Sequence, residues 1–228
     1  MPDPSHMPAG DREIIYVGDP MCSWCWGFSP VLHRIVEGYA AAVPLRVVLG
    51  GLHAFDDKPM SESYKRTIRH HWEQVHAATG APFNYAFFDR AGFVLDTEPA
   101  CRASVTIRNI KPAALLSFYE RIHKGYYVED TDTTALETFV AYAEQEGIDG
   151  AAFAKAFESD AMKQETLGDF HWCQQIGVTG FPTVLLREDD KLAALTIGYQ
   201  PLERLQPALD AWTGGELSLH RLEPNETR

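Results

Sequence analysis

Basic charge is scarce in this sequence: 20 lysines and arginines stand against 32 aspartates and glutamates, a formal charge of −12. Such an acidic surplus opposes contact with a phosphate backbone, and no basic stripe offsets it, so no nucleic-acid partner is expected. Long apolar runs are absent too. None approaches the roughly 20 residues that a membrane-spanning helix needs, so no membrane partner is expected. The stretch from Met1 to Arg12 has neither the basic start nor the apolar segment of a secretory signal, and Ser5-His6-Met7 has the look of vector sequence. The expected compartment is the cytoplasm. Cysteine is sparse: Cys22, Cys25, Cys101 and Cys173 are too few to staple a chain of 228 residues. No repeat or low-complexity segment interrupts the chain.

The apolar fraction, 45%, supplies an ordinary core. Glu13–Val17 is a β-branched and aromatic run closed by Gly18-Asp19-Pro20, as a buried strand ending in a turn would be. Phe28, Val31, Leu32, Ile35 and Tyr39 then recur at helical spacing, with Pro30 predicting a kink or a late start. Leu45–Leu49 reads as a second strand ended by Gly50-Gly51. From Asp57 to Ser159 the pattern is helical throughout. One stripe (Tyr64, Ile68, Trp72, Val75) stops at Gly80, and further helices start near Asp96–Pro99, after Lys111-Pro112, and around Leu136 and Phe153. A helix from Asp160 to Ile176 leads to the tight turn Val178–Pro182. A hairpin (Thr183–Leu186 and Leu192–Ile197) and a last helix from Pro201 to Trp212 follow, then a polar tail expected to be partly mobile. The order βαβ, helices, ββα predicts an α/β domain split by an all-helical insertion. Its expected bounds are 12–56 and 160–214 for the two halves, 57–159 for the insertion and 215–228 for the tail.

The chemistry points to Cys22-Ser23-Trp24-Cys25. Residues i and i+3 on a helical turn are neighbours, about 5–6 Å apart at Cβ, so a small adjustment closes a disulfide. A cysteine at a helix N-terminus meets free N–H groups and the positive end of the macrodipole. That placement lowers a thiol pKa from about 8.5 towards roughly 3.5–7.5. Cys22 is therefore the expected nucleophile, facing solvent, and Cys25 the more shielded resolving thiol. A Cys-x-x-Cys can also be half of a zinc site, but no second such pair exists. His70, His71 and His76 fall on different helix faces, and His171 with Cys173 does not converge on a helix either. No metal is expected. Cys101 and Cys173 read as packed thiols, with Cys173 an outside candidate for a third redox group, and His53 reads as a structural histidine or a local polar contact.

Tyr16–Phe28 (YVGDPMCSWCWGF) together with Gly177–Leu185 (GVTGFPTVL) resembles the DsbA family of thioredoxin-fold proteins. More narrowly, the chain is similar to its cytoplasmic branch of predicted disulfide isomerases, relatives of FrnE and of 2-hydroxychromene-2-carboxylate isomerase. The resemblance implies a thioredoxin-like fold in which Pro182 is cis and faces the cysteine pair. It also implies that Phe181 offers its backbone to an extended substrate, beside Ser23 and Trp24. Periodplasmic oxidants of the family carry Pro-His between the cysteines. Ser23-Trp24 here implies a less depressed Cys22 pKa and a centre resting as dithiol in a reducing cytosol. The expected activity is thiol–disulfide exchange on protein or small-molecule thiols and disulfides, with no bound cofactor and glutathione as a candidate co-substrate. The alternatives are a glutathione-dependent isomerase or kappa-class-like transferase, against which both cysteines count, and a non-catalytic binding module.

Overall fold

A computed structural model describes residues 12–219. The expectations for the first eleven residues, and for the tail beyond Leu219, lie outside these residues. Four strands form one sheet: β1 (Arg12–Gly18), β2 (Leu45–Leu49), β3 (Thr183–Glu188) and β4 (Lys191–Ile197), in the order β2-β1-β3-β4. β1 runs parallel to β2 and antiparallel to β3, with Tyr16 opposite Val47 on one side and Val184 on the other. β3 and β4 make the expected hairpin, irregular between Val184 and Leu185.

The helices are α1 (Ser23–Tyr39), α2 (Glu62–Thr79), α3 (Glu98–Ile110), α4 (Leu115–Tyr127), α5 (Leu136–Gln145), α6 (Gly150–Phe157), α7 (Asp160–Gln175) and α8 (Leu202–Thr213). β1 is central and covered on both faces, which is why its sequence is almost continuously apolar rather than alternating. Its side chains still alternate in direction. Ile14 and Tyr16 enter the larger core with α1, α4 and α8, while Ile15 and Val17 pack with Cys173 and Trp172 of α7. This is the thioredoxin-like arrangement, and helices α2–α6 fall between β2 and α7.

Pro30 neither delays nor divides α1, which is helical from Ser23 onward. Its exposed ring sits on the solvent side of a helix whose opposite face is buried from Cys25 to Tyr39. Packing of that face outweighs one lost backbone hydrogen bond, worth about 1 kcal/mol. Nor is the tail loose as far as Leu219: that residue is buried and its N–H donates to Glu188 at 2.7 Å.

Trp72 of α2 gathers rings from the segment after α2 and from α4: its indole contacts Phe83, Phe87, Phe88 and Tyr127 at centroid distances of 4.7–5.2 Å and Tyr126 at 6.1 Å. Each such ring contributes about 1.5–3 kcal/mol by burial. Arg108 of α3 joins this helical body to the sheet. It donates to the Val47 carbonyl at 2.9 Å and to both oxygens of Asp169 on α7, and Asp169 in turn accepts from the Leu49 N–H at 3.0 Å. The pair holds β2 between α3 and α7, so the strand that ends in Gly50-Gly51 is fixed from both sides.

Candidate active site

The turn after β1 is tied by one buried carboxylate. Asp19 is fully buried, and its Oδ1 accepts from the Met21 N–H at 2.8 Å while its Oδ2 accepts from the Leu52 N–H at 2.7 Å. Its carbonyl accepts from the Cys22 N–H at 3.1 Å. These bonds set Cys22 in extended conformation as the N-cap of α1, where its side chain makes no capping bond and no acidic residue lies in the first turn. The Cys22 sulfur therefore stands at an uncapped helix end. Burial raises the Asp19 carboxyl pKa, opposed by its hydrogen bonds.

Cys22 and Cys25 are both free and buried, 6% and 0% exposed. The order of exposure is the expected one, but Cys22 presents only an edge to solvent. Its thiol points at the Phe181 carbonyl oxygen, 3.8 Å away. The expected lowering of its pKa is overturned. A hydrogen bond with Cys25 and then burial push the Cys22 thiol well above the ordinary cysteine value, and Cys25 and Asp19 add electrostatic repulsion. Two sulfurs in one dry site do not both ionise, so the helix end favours a single charge on the pair.

The Phe181–Pro182 bond is cis and brings its loop over the cysteines. The Pro182 carbonyl accepts from Gly198 and the Thr183 hydroxyl donates to Gly180, which closes the loop on β4. Ser23 and Trp24 are half-buried, and the Trp24 indole lies 6.0 Å from the Tyr199 ring. Trp26 donates its indole N–H to Pro82 and stacks on Tyr127, whereas Phe28 is core. Thus Cys22, Cys25, Ser23, Trp24, Phe181 and Pro182 all meet in one place.

Other candidates fall away from it. The Cys173 thiol donates to the Leu49 carbonyl, and burial pushes its pKa up to about 12. Cys101 is buried on Asp19 and raised well above the usual thiol range, chiefly by desolvation. His70, His71 and His76 are exposed along α2. Among the described residues no group of three or more His, Cys, Asp or Glu is placed to hold a metal ion. Also among them, no helix is long and apolar enough to cross a membrane.

Several site-building residues escaped the sequence reading. Asp19 looked like an ordinary turn residue, and Gly50 and Gly51 like a strand end. A Cβ on Gly50 would stand 2.1 Å from the Phe181 ring, and Gly51 has φ +63 against Phe170. His123 of α4 is fully buried beneath the site, facing the Asp19 carbonyl at 3.4 Å and the Ser29 hydroxyl at 3.3 Å. His53 pairs with Tyr64 at 2.7 Å and Asp56 at 3.1 Å, as a local polar contact.

A thioredoxin fold with paired sulfurs at the start of its first helix, under a cis-proline loop, defines a thioredoxin-like dithiol protein. Comparison with known proteins narrows the class: the family described as the DSBA-like thioredoxin domain matches residues 13–210, and the chain belongs to it. Among solved structures, a Nitrosomonas europaea protein proposed to be a protein disulfide isomerase is 36% identical, with a TM-score of 0.83. The match covers 90% of this chain and 98% of that one. The cytosolic disulfide reductase DsbM of Pseudomonas aeruginosa, solved also with GSH, shares the fold at 22% identity and a TM-score of 0.73, over 88% and 98% of the two chains. The ClpXP adapter protein SpxH of Halalkalibacterium halodurans is 21% identical over 83% of this chain. The chain spans about 63% of the length of that curated relative.

Proposed function

We propose that this protein is a dithiol–disulfide oxidoreductase or isomerase in which Cys22 attacks and Cys25 resolves. The observation that carries the reading is the placement of the Cys22 sulfur at the uncapped start of α1, beside Cys25 and 3.8 Å from the Phe181 carbonyl. The Cys22 thiolate attacks one sulfur of a substrate disulfide, a mixed disulfide forms and the first substrate thiolate leaves. Cys25 then attacks the Cys22 sulfur, closes the internal disulfide and expels the second thiolate. The dithiol is oxidised by two electrons and the substrate disulfide is reduced to two thiols. The reverse sequence oxidises a substrate.

An extended substrate segment pairs with the Phe181 backbone, and Trp24 and Tyr199 supply an apolar flank. The substrates are protein or small-molecule disulfides, and a thiol such as glutathione restores the dithiol without a resident cofactor. The name of the Pseudomonas neighbour and its structure with GSH support a reducing role in the cytoplasm. Insulin reduction tests the reading. Cys22→Ser should abolish turnover, and Cys25→Ser should accumulate mixed disulfides resolvable by mass. Normal turnover without the Cys22 sulfur defeats it.

A second reading, a binding module, draws support from the SpxH relatives, at 21% and 22% identity. It requires client binding to persist when both Cys22 and Cys25 are replaced.

A further inference from the structure

One buried side chain bonds to both flanks of the cysteine pair. His123 of α4 is fully buried. Its Nε2 lies 3.4 Å from the Asp19 carbonyl oxygen and its Nδ1 lies 3.3 Å from the Ser29 hydroxyl. Asp19 comes three residues before Cys22, and its carbonyl also accepts from the Cys22 N–H at 3.1 Å. Ser29 comes one helical turn after Cys25, and its hydroxyl stands 3.3 Å from the Cys25 carbonyl oxygen. A single imidazole is thus connected, through one intervening group on each side, to the backbone of both cysteines.

The protonation of this ring follows from its surroundings. Burial pushes its pKa down to about 3, so at neutral pH it is uncharged and only one of its nitrogens carries a proton. A carbonyl only accepts, so that proton sits on Nε2 and is donated to Asp19. Nδ1 is then an acceptor. The Ser29 hydroxyl therefore has one proton and two acceptors at the same distance, Nδ1 and the Cys25 carbonyl. Aromatic rings hold the imidazole still: Tyr119 meets it edge-on at 4.6 Å, and Trp26 and Tyr127 lie 5.8 and 6.2 Å away. The start of α1 is braced against a rigid group on another helix.

Bracing of this kind bears on one step of exchange. Cysteines at i and i+3 close a disulfide only when their Cα atoms stand about 4.4–6.8 Å apart with the sulfurs turned to each other. The rate and the equilibrium of closure follow the effective concentration of one sulfur at the other. A turn that is free to open dilutes Cys25.

We propose that His123 is a positioning residue for exchange, holding the segment from Asp19 to Ser29 in the shape from which Cys25 closes on Cys22. The proposal rests on the dithiol reading above. In the mixed disulfide Cys25 loses its proton to the buffer and its thiolate attacks the Cys22 sulfur. The Cys22–Cys25 bond forms as the bond from Cys22 to the substrate sulfur breaks, and the substrate thiolate leaves with the electron pair. As the Cys25 peptide shifts, Ser29 turns its hydrogen bond from that carbonyl to Nδ1. The Asp19 carbonyl stays bonded to Nε2 and keeps Cys22 in place. His123 touches no reacting atom.

Ellman's reagent separates the two steps, because thionitrobenzoate is released once when Cys22 attacks and again when Cys25 closes the disulfide. His123→Phe, which keeps a ring but makes neither bond, should slow the second release about tenfold relative to the first. Equilibration with glutathione buffers should show the couple shifted towards the dithiol by the same factor, about 30 mV less reducing. His123→Gln offers one donor and one acceptor and should restore most of both readouts. Ser29→Ala should slow the second release by a smaller factor and add nothing to His123→Phe, since both act through one path. A variant that is merely less stable has a lower unfolding temperature with the ratio of the two releases unchanged. An unchanged ratio and potential in His123→Phe overturn the proposal. If that variant does not fold, an unchanged ratio in Ser29→Ala overturns it instead. If Cys22→Ser still gives both releases in sequence, the dithiol reading itself fails.

Discussion

The ring of Phe181 occupies the space in which a side chain on Gly50 would lie, with only 2.1 Å between a Cβ there and the ring. The end of β2 and the cis-proline loop, more than a hundred residues apart in sequence, are thereby locked together above Cys22. Gly50 is itself fixed by its N–H bond to the Gly18 carbonyl at 2.8 Å, so the strand cannot give way. The half-buried ring must move instead.

Gly50→Ala therefore tests whether the Phe181 position matters for exchange. Overpacking of this kind costs about 1–3 kcal/mol of stability. With the Phe181 backbone displaced from Cys22, kcat/KM for insulin reduction should fall about tenfold, equivalent to about 1.4 kcal/mol. Thermal unfolding and steady-state kinetics measure the two effects separately. A destabilised variant with unchanged kcat/KM would show that the ring only fills space.

Alkylation separates the four sulfurs. On the native protein iodoacetamide should modify Cys22 first, through its exposed edge. Cys173, buried with its thiol on the Leu49 carbonyl, and Cys101, sealed from solvent on a carboxylate, should react at least about a hundredfold more slowly. Both should label fully in urea. Peptide mass mapping gives the order, and early labelling of Cys173 would return it to the list of redox groups.

His123 makes stability depend on pH. Burial pushes its pKa down to about 3 from 6.5, so the folded protein keeps the ring neutral while the unfolded chain protonates it. Between those values the unfolded state binds more protons, and stability falls as pH drops, by up to about 1.4 kcal/mol per pH unit. Asp19 opposes this trend, because burial raises its carboxyl pKa and the folded state gains stability as that group takes up its proton. His123→Phe removes the first effect and leaves the second. Urea unfolding across this range should show the unmodified protein losing stability relative to the variant as pH falls; parallel curves would contradict a buried neutral histidine.

Much of this architecture was legible in the chain because local rules and tertiary packing agree. The strand runs and the Gly80 stop of α2 follow from side-chain shape and backbone freedom, with Gly80 at φ +75. The Cys22/Cys25 spacing could be read the same way, since adjacency along the chain carries the chemistry, whereas the cis Phe181-Pro182 bond was expected only from the family resemblance. Pro30 misled, because its local penalty is small beside the burial of a whole helix face.

The electrostatics of the site were not legible in this way. A thiol at a helix start was expected to ionise easily, but a hydrogen bond with the neighbouring sulfur and then burial reverse the shift for Cys22. Asp19, Gly50 and His123 build the site across separations of chain that no local pattern records.

By itself, then, the order of residues determined the elements and the spacing of the cysteine pair, because propensity, spacing and turn chemistry operate over a few neighbours, while the loop that faces the pair was expected from the family resemblance alone. Only the tertiary structure decided how dry the sulfurs are and which carboxylate ties their turn. Desolvation and through-space contact depend on what the fold brings together, and they set the charge a buried atom can hold.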